Sequence, residues 1–263
     1  MHQVQAAIGS SLLAVDGVSV HFGGIVALDG VSFDIAPGQI AGLIGPNGAG
    51  KTTLFNCLSR LYACASGQIV FDGRPLLAIP RHRIAAVGIG RTFQNLALFR
   101  TMTVRDNVRL GRHCRTRSGF LANALRLPRV ACEERSSTEK VCELVGFLGL
   151  ATVADQRVSD LPFGMQKRVE LARALASEPK LLLLDEPASG LNHEEVDTLG
   201  KLIRDIRDRL GVTVLLVEHH MSLVMSVSDK VVALNFGRKI AEGTPAEVQQ
   251  HPEVVQAYLG NSH

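Results

Sequence analysis

Short, wholly apolar runs divide the chain into a repeating pattern of predicted strands and helices. They cover Ile40–Ile44, residues 181–184 and residues 212–217, the last with a single threonine. Continuous apolar runs are typical of strands that are buried on both faces of a parallel sheet. Each run is followed by a segment that can form a helix, so the pattern predicts an α/β fold with a parallel sheet.

The first part of the chain follows a different pattern. Residues 12–22, 31–35 and 68–71 are strand-like, and they are separated by turn signals such as Gly23-Gly24 and Asp72-Gly73. Strands that are joined by such turns usually pair antiparallel. The sequence therefore predicts an antiparallel β subdomain beside the parallel sheet.

Strand signals disappear between residues 96 and 160, where arginine, alanine and leucine are frequent, and we interpret this segment as an inserted α-helical subdomain. Two further strand-like pieces, 230–235 and 239–242, precede a short helical tail that ends near Tyr258. The predicted organisation is a core of residues 1–95 and 161–243, a helical subdomain of residues 96–160, and a tail of residues 244–263.

Composition excludes several classes of protein. Of the 263 residues, 46% are hydrophobic and 20% charged, which rules out a disordered or collagen-like chain. The net charge of +3 is milder than that of a protein that wraps nucleic acid, so we expect no nucleic-acid partner. No apolar run approaches the roughly 18 residues that span a bilayer.

Cysteine usage and the first residues point to one compartment. The five cysteines are scattered and form no C-x-x-C pair, so neither a disulfide framework nor a zinc site is predicted. Residues 1–11 lack a basic segment followed by a long apolar stretch, so no secretory signal is expected. A reducing cytoplasm is the natural environment for such a chain.

Positive charge is concentrated in one segment. Between Arg100 and Arg135 there are nine arginines and three acidic residues. A solvated helical face is the ordinary explanation of such a run. Contact with anionic lipid head groups or with an acidic partner is the alternative.

A complete phosphate-binding motif, G-x-x-x-x-G-K-[ST], follows the first apolar run. Its residues are Gly45, Pro46, Asn47, Gly48, Ala49, Gly50, Lys51, Thr52 and Thr53. An apolar strand precedes it and a helix over residues 51–61 is predicted to follow, which is the context the motif requires. The loop's backbone N–H groups would bind a triphosphate, Lys51 its β and γ phosphates, and Thr52 a Mg²⁺ ion. A glycine-rich turn with an exposed lysine is the simpler alternative, and the complete motif in this context disfavours it.

Polar residues follow the other two apolar runs. Asp185 ends one run and is placed to hold Mg²⁺, while the adjacent Glu186 can act as the general base on an attacking water. The run 212–217 leads into Glu218 and His219. Since an open α/β sheet binds its ligand at the carboxyl ends of its strands, we interpret His219 as a γ-phosphate sensor.

These motifs, in this order, resemble the ATP-binding subunit of an ABC transporter over nearly the whole chain. The resemblance implies that Phe22 stacks on adenine. It implies that Gln94, in Arg-Thr-Phe-Gln-Asn, is the glutamine of the Q-loop, which takes part in Mg²⁺ binding and catalysis. His219 matches the switch histidine and residues 189–192 match the D-loop. Asn192 and Glu195 also resemble a helix N-cap pair.

The family works as a dimer in which ATP is held between one subunit's phosphate loop and the other subunit's signature helix. Residues 161–165, Leu-Pro-Phe-Gly-Met, occupy the place of the family signature LSGGQ. The resemblance implies that Gly164 approaches the partner's nucleotide in trans. Pro162, Phe163 and Met165 depart from the pattern, and Pro162 offers neither a hydroxyl nor an N–H. This departure concerns the rate of hydrolysis more than the identity of the protein.

Finer features resemble the subunits that energise bacterial uptake of branched-chain amino acids. They are Arg-Thr-Phe-Gln-Asn, Met102-Thr103-Val104, and the tail from Glu242-Gly243-Thr244-Pro245 to Ala257-Tyr258-Leu259-Gly260. Importers of urea or short amides and the ATPase of lipopolysaccharide export share many of them. Two alternatives lie outside transport. A soluble ABC ATPase of DNA repair or translation would need long coiled coils or tandem ATPase units, whereas this sequence shows one unit and no sustained heptad repeat. A small-molecule kinase would need neither a signature helix nor a D-loop.

The resemblance also implies partners and a location. We expect transmembrane permease subunits, a second ATP-binding subunit that is either identical or a related paralogue, and indirectly a periplasmic or extracellular substrate-binding protein. ATP and Mg²⁺ are the expected cofactors. The chain would then be peripheral, on the cytoplasmic side of the inner membrane.

Overall fold

Two sheets organise the protein, whose computed structural model describes residues 11–94, 96–115 and 128–259. One sheet has four antiparallel strands in the order β2-β1-β4-β5, and the other has six in the order β10-β9-β3-β8-β7-β6, all parallel except β10. The strands are β1 Leu13–Phe22, β2 Ile25–Ile35, β3 Ile40–Ile44, β4 Ser66–Phe71, β5 Arg74–Pro75, β6 Ile89–Arg91, β7 Leu181–Asp185, β8 Thr213–Val217, β9 Lys230–Asn235 and β10 Arg238–Gly243.

Helices lie in several of the connections between these strands and after the last strand. They are α1 Lys51–Leu58, α2 Ile84–Val87, α3 Val104–Gly111, α4 Pro128–Phe147, α5 Phe163–Leu175, α6 His193–Leu210, α7 Met221–Val227, α8 Pro245–Gln250 and α9 Pro252–Leu259. Helix α6 begins with a capping box in which the Asn192 side chain and Glu195 satisfy each other's backbone N–H groups, as the sequence predicts. In the described part of the chain, no helix is long and apolar enough to cross a membrane.

Alternate residues of the central strands belong to two different cores. Leu183 and Leu215 face the antiparallel sheet and α1, whereas Leu184 and Leu216 face the helices on the other side. Strands β3, β7 and β8 are buried at every position. This explains why their sequences are continuously apolar, since a strand that is covered on both faces has no solvent side.

The two sheets and their helices confirm the predicted fold class. Strand β6 was not predicted, because it has only three residues and includes Gly90 and Arg91. Helix α1 ends three residues before the predicted 61, because Arg60 adopts a positive φ of 58°. The middle of the arginine-rich segment (116–127), Asn95 and the ends of the chain (1–10 and 260–263) lie outside the described residues.

Candidate active site

The phosphate-binding motif forms a tight loop between β3 and α1. Gly45, Gly48 and Gly50 have φ angles of 151°, 81° and 101°, which side-chain-bearing residues rarely adopt. A Cβ atom at Gly45 would also lie 2.2 Å from the carbonyl oxygen of Leu234. Backbone conformation therefore favours glycine at all three positions, and space also requires it at Gly45 and Gly50, as a loop that folds around a phosphate demands.

Lys51 lies at the beginning of α1 and is held inside this loop. Its Nζ donates hydrogen bonds to the carbonyl oxygens of Gly45, at 2.6 Å, and Pro46, at 2.9 Å. Burial lowers the pKa of Lys51, and the negative charges of Glu186 and Asp185 partly offset that effect. An arriving phosphate can replace the two carbonyls as the partner of the ammonium group. The next residue, Thr52, is exposed.

Asp185, at the end of β7, is buried and paired with Arg91. Arg91 also donates from Nη1 to Asn56 Oδ1 and Ser59 Oγ, both at 2.9 Å. Sequence reasoning missed Arg91, because the strand that carries it is too short to be predicted. The sequence signal that could have pointed to Arg91 was its position directly before the Thr-Phe-Gln segment that contains Gln94. Arg91 therefore connects the acidic end of β7 to the helix that follows the phosphate loop.

The residues predicted to bind Mg²⁺ offer only oxygen ligands: the carboxylate of Asp185, the hydroxyl of Thr52 and the amide of Gln94. Mg²⁺ prefers such ligands and usually keeps water and substrate phosphate oxygens as well. Among the described residues, no group of three or more His, Cys, Asp or Glu side chains could hold a metal ion. The oxygen donors of Thr52, Gln94 and Asp185 fit a Mg²⁺ ion that shares its coordination with a nucleotide.

Glu186 lies between Gln94 and His219. Its Oε2 accepts a hydrogen bond from Gln94 Nε2 at 2.7 Å, and its Oε1 lies 2.6 Å from His219 Nε2. With Glu186 ionised, the histidine ring must carry a proton on Nε2. Glu186 also has a positive φ of 48°, an uncommon conformation for a residue with a side chain. The fold thus brings together three residues that the sequence separates by up to 125 positions.

The Glu218 carboxylate connects two loop segments beside the group formed by Gln94, Glu186 and His219. Its side chain is buried, and Oε1 accepts from the Ala188 N–H at 2.6 Å while Oε2 accepts from the N–H groups of His219, at 2.9 Å, and His220, at 3.3 Å. These bonds connect the chain after β7 to the chain after β8. Sequence reasoning noted Glu218 only as a neighbour of His219, because backbone hydrogen bonds leave no pattern in a sequence.

Phe22 is the last residue of β1 and is 44% exposed. Its ring meets Tyr62 edge to face, with centroids 5.0 Å apart. An exposed ring that a second aromatic residue supports can stack on a base. The stacking of Phe22 on adenine stays a prediction.

The signature segment lies against the D-loop of the same chain. Pro162 is the N-cap of α5 and provides no side-chain cap, and a Cβ at Gly164 would lie 2.5 Å from Glu195 Oε1. Phe163, one of the departures from the family signature, packs over Gly190, where a Cβ would lie 2.9 Å from the ring. A side chain at position 164 would therefore have to displace the Glu195 carboxylate of its own chain, and the trans contact of Gly164 stays a prediction.

Comparison with known proteins agrees with this geometry. The profile of the family described as "ABC transporter" matches residues 28–189, and that described as "Branched-chain amino acid ATP-binding cassette transporter" matches residues 238–263. Two solved ATP-binding cassettes of ABC transporters are similar in structure. The one in an ADP conformation has a TM-score of 0.83 at 30% identity, covering 95% of this chain and 99% of that one. The nucleotide-free one has a TM-score of 0.81 at 29% identity, covering 94% and 98%.

The fold and the phosphate loop thus define an ATP-binding cassette. The chain belongs to the ABC transporter family, whose cassettes are ATPases, and the predicted resemblance to its branched-chain amino acid group is confirmed. It is 41% identical to the high-affinity branched-chain amino acid transport ATP-binding protein BraF of Pseudomonas aeruginosa. It is 39% identical to the corresponding protein LivG of Escherichia coli. Each alignment covers 95% of this chain and 98% of the relative.

Proposed function

We propose that this chain is the ATPase subunit that powers the uptake of branched-chain amino acids. The observation that carries the proposal is the end-to-end similarity to BraF, at 41% identity over 98% of that protein's length. The match of residues 238–263 to the branched-chain family profile supports it independently of the phosphate loop. Import of urea or short amides and lipopolysaccharide export are the alternatives within transport.

The site geometry supports hydrolysis by water attack. In this proposal the loop N–H groups and Lys51 bind the phosphates of ATP, and Glu186 accepts the proton of the attacking water. Gln94 and His219 orient the Glu186 carboxylate, which each of them contacts in the structure. When bound, Mg²⁺ would neutralise charge on the phosphates, held by Thr52, Gln94 and Asp185.

The proposal includes partners. A second ATP-binding subunit would present its signature segment to the nucleotide, and permease subunits would dock near the Q-loop. Phe99, Met102 and Leu110 support permease docking, because these large apolar side chains are exposed within one short segment that includes α3. Exposed apolar groups that lie together often mark protein interfaces. Since the permease spans the membrane, the chain would be peripheral, on the cytoplasmic side, and would meet the substrate-binding protein only indirectly.

Copurification tests the class of function. We expect the tagged chain to be recovered from detergent-solubilised membranes with permease subunits and a second ATP-binding subunit. A Phe99→Asp variant should lose the permease while ATP binding by the isolated chain stays unchanged. Recovery with ribosomes or DNA and without any membrane subunit would contradict the transport function.

Stimulation of the purified complex tests the substrate. In vesicles that contain the complex, we expect ATP hydrolysis to rise with binding protein loaded with leucine, isoleucine or valine. Stimulation by urea or short amides alone, or by lipopolysaccharide, would assign the chain to one of the alternatives.

A further inference from the structure

The far end of the chain touches the phosphate-binding loop. The hydroxyl oxygen of Tyr258, in α9, accepts a hydrogen bond of 2.8 Å from the backbone N–H of Gly45. Gly45 is the first residue of the loop, is buried, and lies 213 positions away in sequence. None of the sequence motifs predicts this contact, and the hydrolysis mechanism does not use it.

Helix α9 places this hydroxyl by packing. Val254 and Ala257 are buried, and Val254 belongs to the core cluster on the helical side of the six-stranded sheet. The Tyr258 ring remains partly exposed, but burial raises the pKa of its phenol, so the hydroxyl stays neutral at physiological pH. A neutral hydroxyl has lone pairs that can accept the Gly45 N–H.

Backbone groups at the end of β9 and in the turn that follows it also lie against the phosphate-binding loop. The Leu234 carbonyl leaves no room for a Cβ at Gly45, and the Gly237 N–H donates to the Ala49 carbonyl at 3.1 Å. These contacts are made by backbone groups, which a substitution does not remove. The Tyr258 contact is made by a side-chain hydroxyl, so a single substitution removes the hydrogen bond and leaves the backbone unchanged.

Both backbone polar groups of Gly45 are held, one in each of the two peptide groups that flank its Cα. Its N–H is bound by Tyr258 and its carbonyl by Lys51, at 2.8 and 2.6 Å. When Lys51 turns to the phosphates of ATP, the carbonyl loses its partner, whereas the N–H keeps Tyr258. The bond to Tyr258 therefore matters more in the nucleotide-bound state than in the free state. In the free state the Lys51 bond also restrains Gly45, so loss of the Tyr258 hydroxyl costs more in the nucleotide-bound state, and nucleotide affinity falls by that difference.

We propose that Tyr258 is a positioning residue that fixes the backbone of Gly45 when ATP draws Lys51 away from the carbonyls of Gly45 and Pro46. It acts through Gly45 and does not touch the nucleotide. The proposal rests on ATP binding by the phosphate loop, and it gives the C-terminal helix a role in nucleotide affinity.

Tyr258→Phe tests the proposal, because this change removes the hydroxyl and keeps the ring. Because the lost bond costs more once Lys51 has left the Gly45 carbonyl, ATP and ADP binding should weaken about fivefold. The KM for ATP should rise by the same factor, whereas kcat at saturating ATP should stay within about twofold, because the Glu186 group is untouched. Nucleotide titration and steady-state hydrolysis on the full chain measure both quantities.

Two variants in the same helix separate positioning from packing. Val255→Ala changes an exposed side chain and should alter neither affinity nor the melting temperature. Val254→Ala should lower the melting temperature through lost packing. If Tyr258→Phe left both the nucleotide Kd and the KM unchanged, or lowered kcat alone, the proposal would be wrong.

A second measurement needs no variant. Amide exchange of Gly45 in the unaltered protein should be slow without nucleotide and remain slow with bound ADP. Fast exchange in the ADP complex would overturn the proposal. If the unaltered chain bound no ATP at all, the proposed function would fail as well. Normal ATP binding with an unaffected Tyr258→Phe variant would reject only the role of Tyr258.

Discussion

Arg91 Nη2 lies 2.8 Å from Asp185 Oδ2, and both side chains are almost entirely buried. The Arg91 guanidinium also lies 5.7 Å from the ring centroid of Phe55 and 5.2 Å from that of Phe93. A buried carboxylate needs a charge partner, because its desolvation is costly. Arg91 therefore holds the Asp185 carboxylate in place at the end of β7, where the proposed Mg²⁺ site lies.

Arg91→Met should destabilise the protein by about 3–5 kcal/mol, because it leaves the buried Asp185 charge without a partner. Arg91→Lys should recover part of this loss, since lysine restores the charge but not the fork of donors. Lys180→Met is a matched control, because it breaks an exposed ion pair with Asp72 and should cost less than about 1 kcal/mol. Denaturant unfolding measures all three. Equal losses for Arg91→Met and Lys180→Met would contradict the argument.

Glu186→Gln should abolish most hydrolysis, by about 10²–10⁴-fold, while ATP binding is retained, because the amide cannot accept the proton of the attacking water. The ATP-bound dimer should then accumulate and can be detected by sedimentation. Glu139→Gln, in an exposed part of α4, is the control and should change neither property. Unchanged steady-state hydrolysis in Glu186→Gln would refute the role of Glu186.

Phe22→Ala should weaken ATP binding about tenfold, the contribution expected from stacking of one base. Thermal stability should change little, because the ring is largely at the surface. Phe99→Ala serves as the comparison, since Phe99 is 54% exposed and lies in the proposed permease surface. If Phe22→Ala lowered the melting temperature and left ATP affinity intact, Phe22 would be only a packing residue.

Pro162→Ser should stabilise α5 by about 1 kcal/mol relative to Pro162→Ala, because a serine at the N-cap can accept from the Met165 N–H. If the missing hydroxyl also limits the trans contact, Pro162→Ser should tighten ATP-dependent dimerisation in a Glu186→Gln background. Sedimentation equilibrium with ATP measures the dimer affinity. Identical dimer affinities for the serine and alanine variants would show that Gly164 and the helix N-terminus are sufficient.

The hydrophobic pattern and the motifs predict those parts of the fold and of the candidate site that depend on neighbouring residues in the sequence. The run 40–44 is strand β3 with the same limits, because a strand covered on both faces must be apolar throughout. The phosphate loop is equally local, since its glycines and lysine are consecutive and their conformation depends on the loop itself. The Asn192–Glu195 capping box is another feature of this kind.

Contacts between distant segments could not be predicted in the same way. Arg91 lies on a three-residue strand at the edge of the sheet, too short to show a pattern. Glu218 binds backbone N–H groups from two loops, and every residue type except proline can supply such a group. Tyr258 lies 213 positions from Gly45 in sequence, and only the packing of its helix brings the two residues together.

The sequence by itself determined the fold class, the phosphate loop and the choice of candidate catalytic residues, because these depend on local pattern and on consecutive residues. The tertiary structure decided how Gln94, Glu186 and His219 meet. It also decided that Asp185 pairs with Arg91 and that Tyr258 contacts the phosphate-binding loop. Those contacts depend on the order in which strands pair and on how helices pack across the sheet. Such information is distributed over the whole chain and is not carried by any single motif.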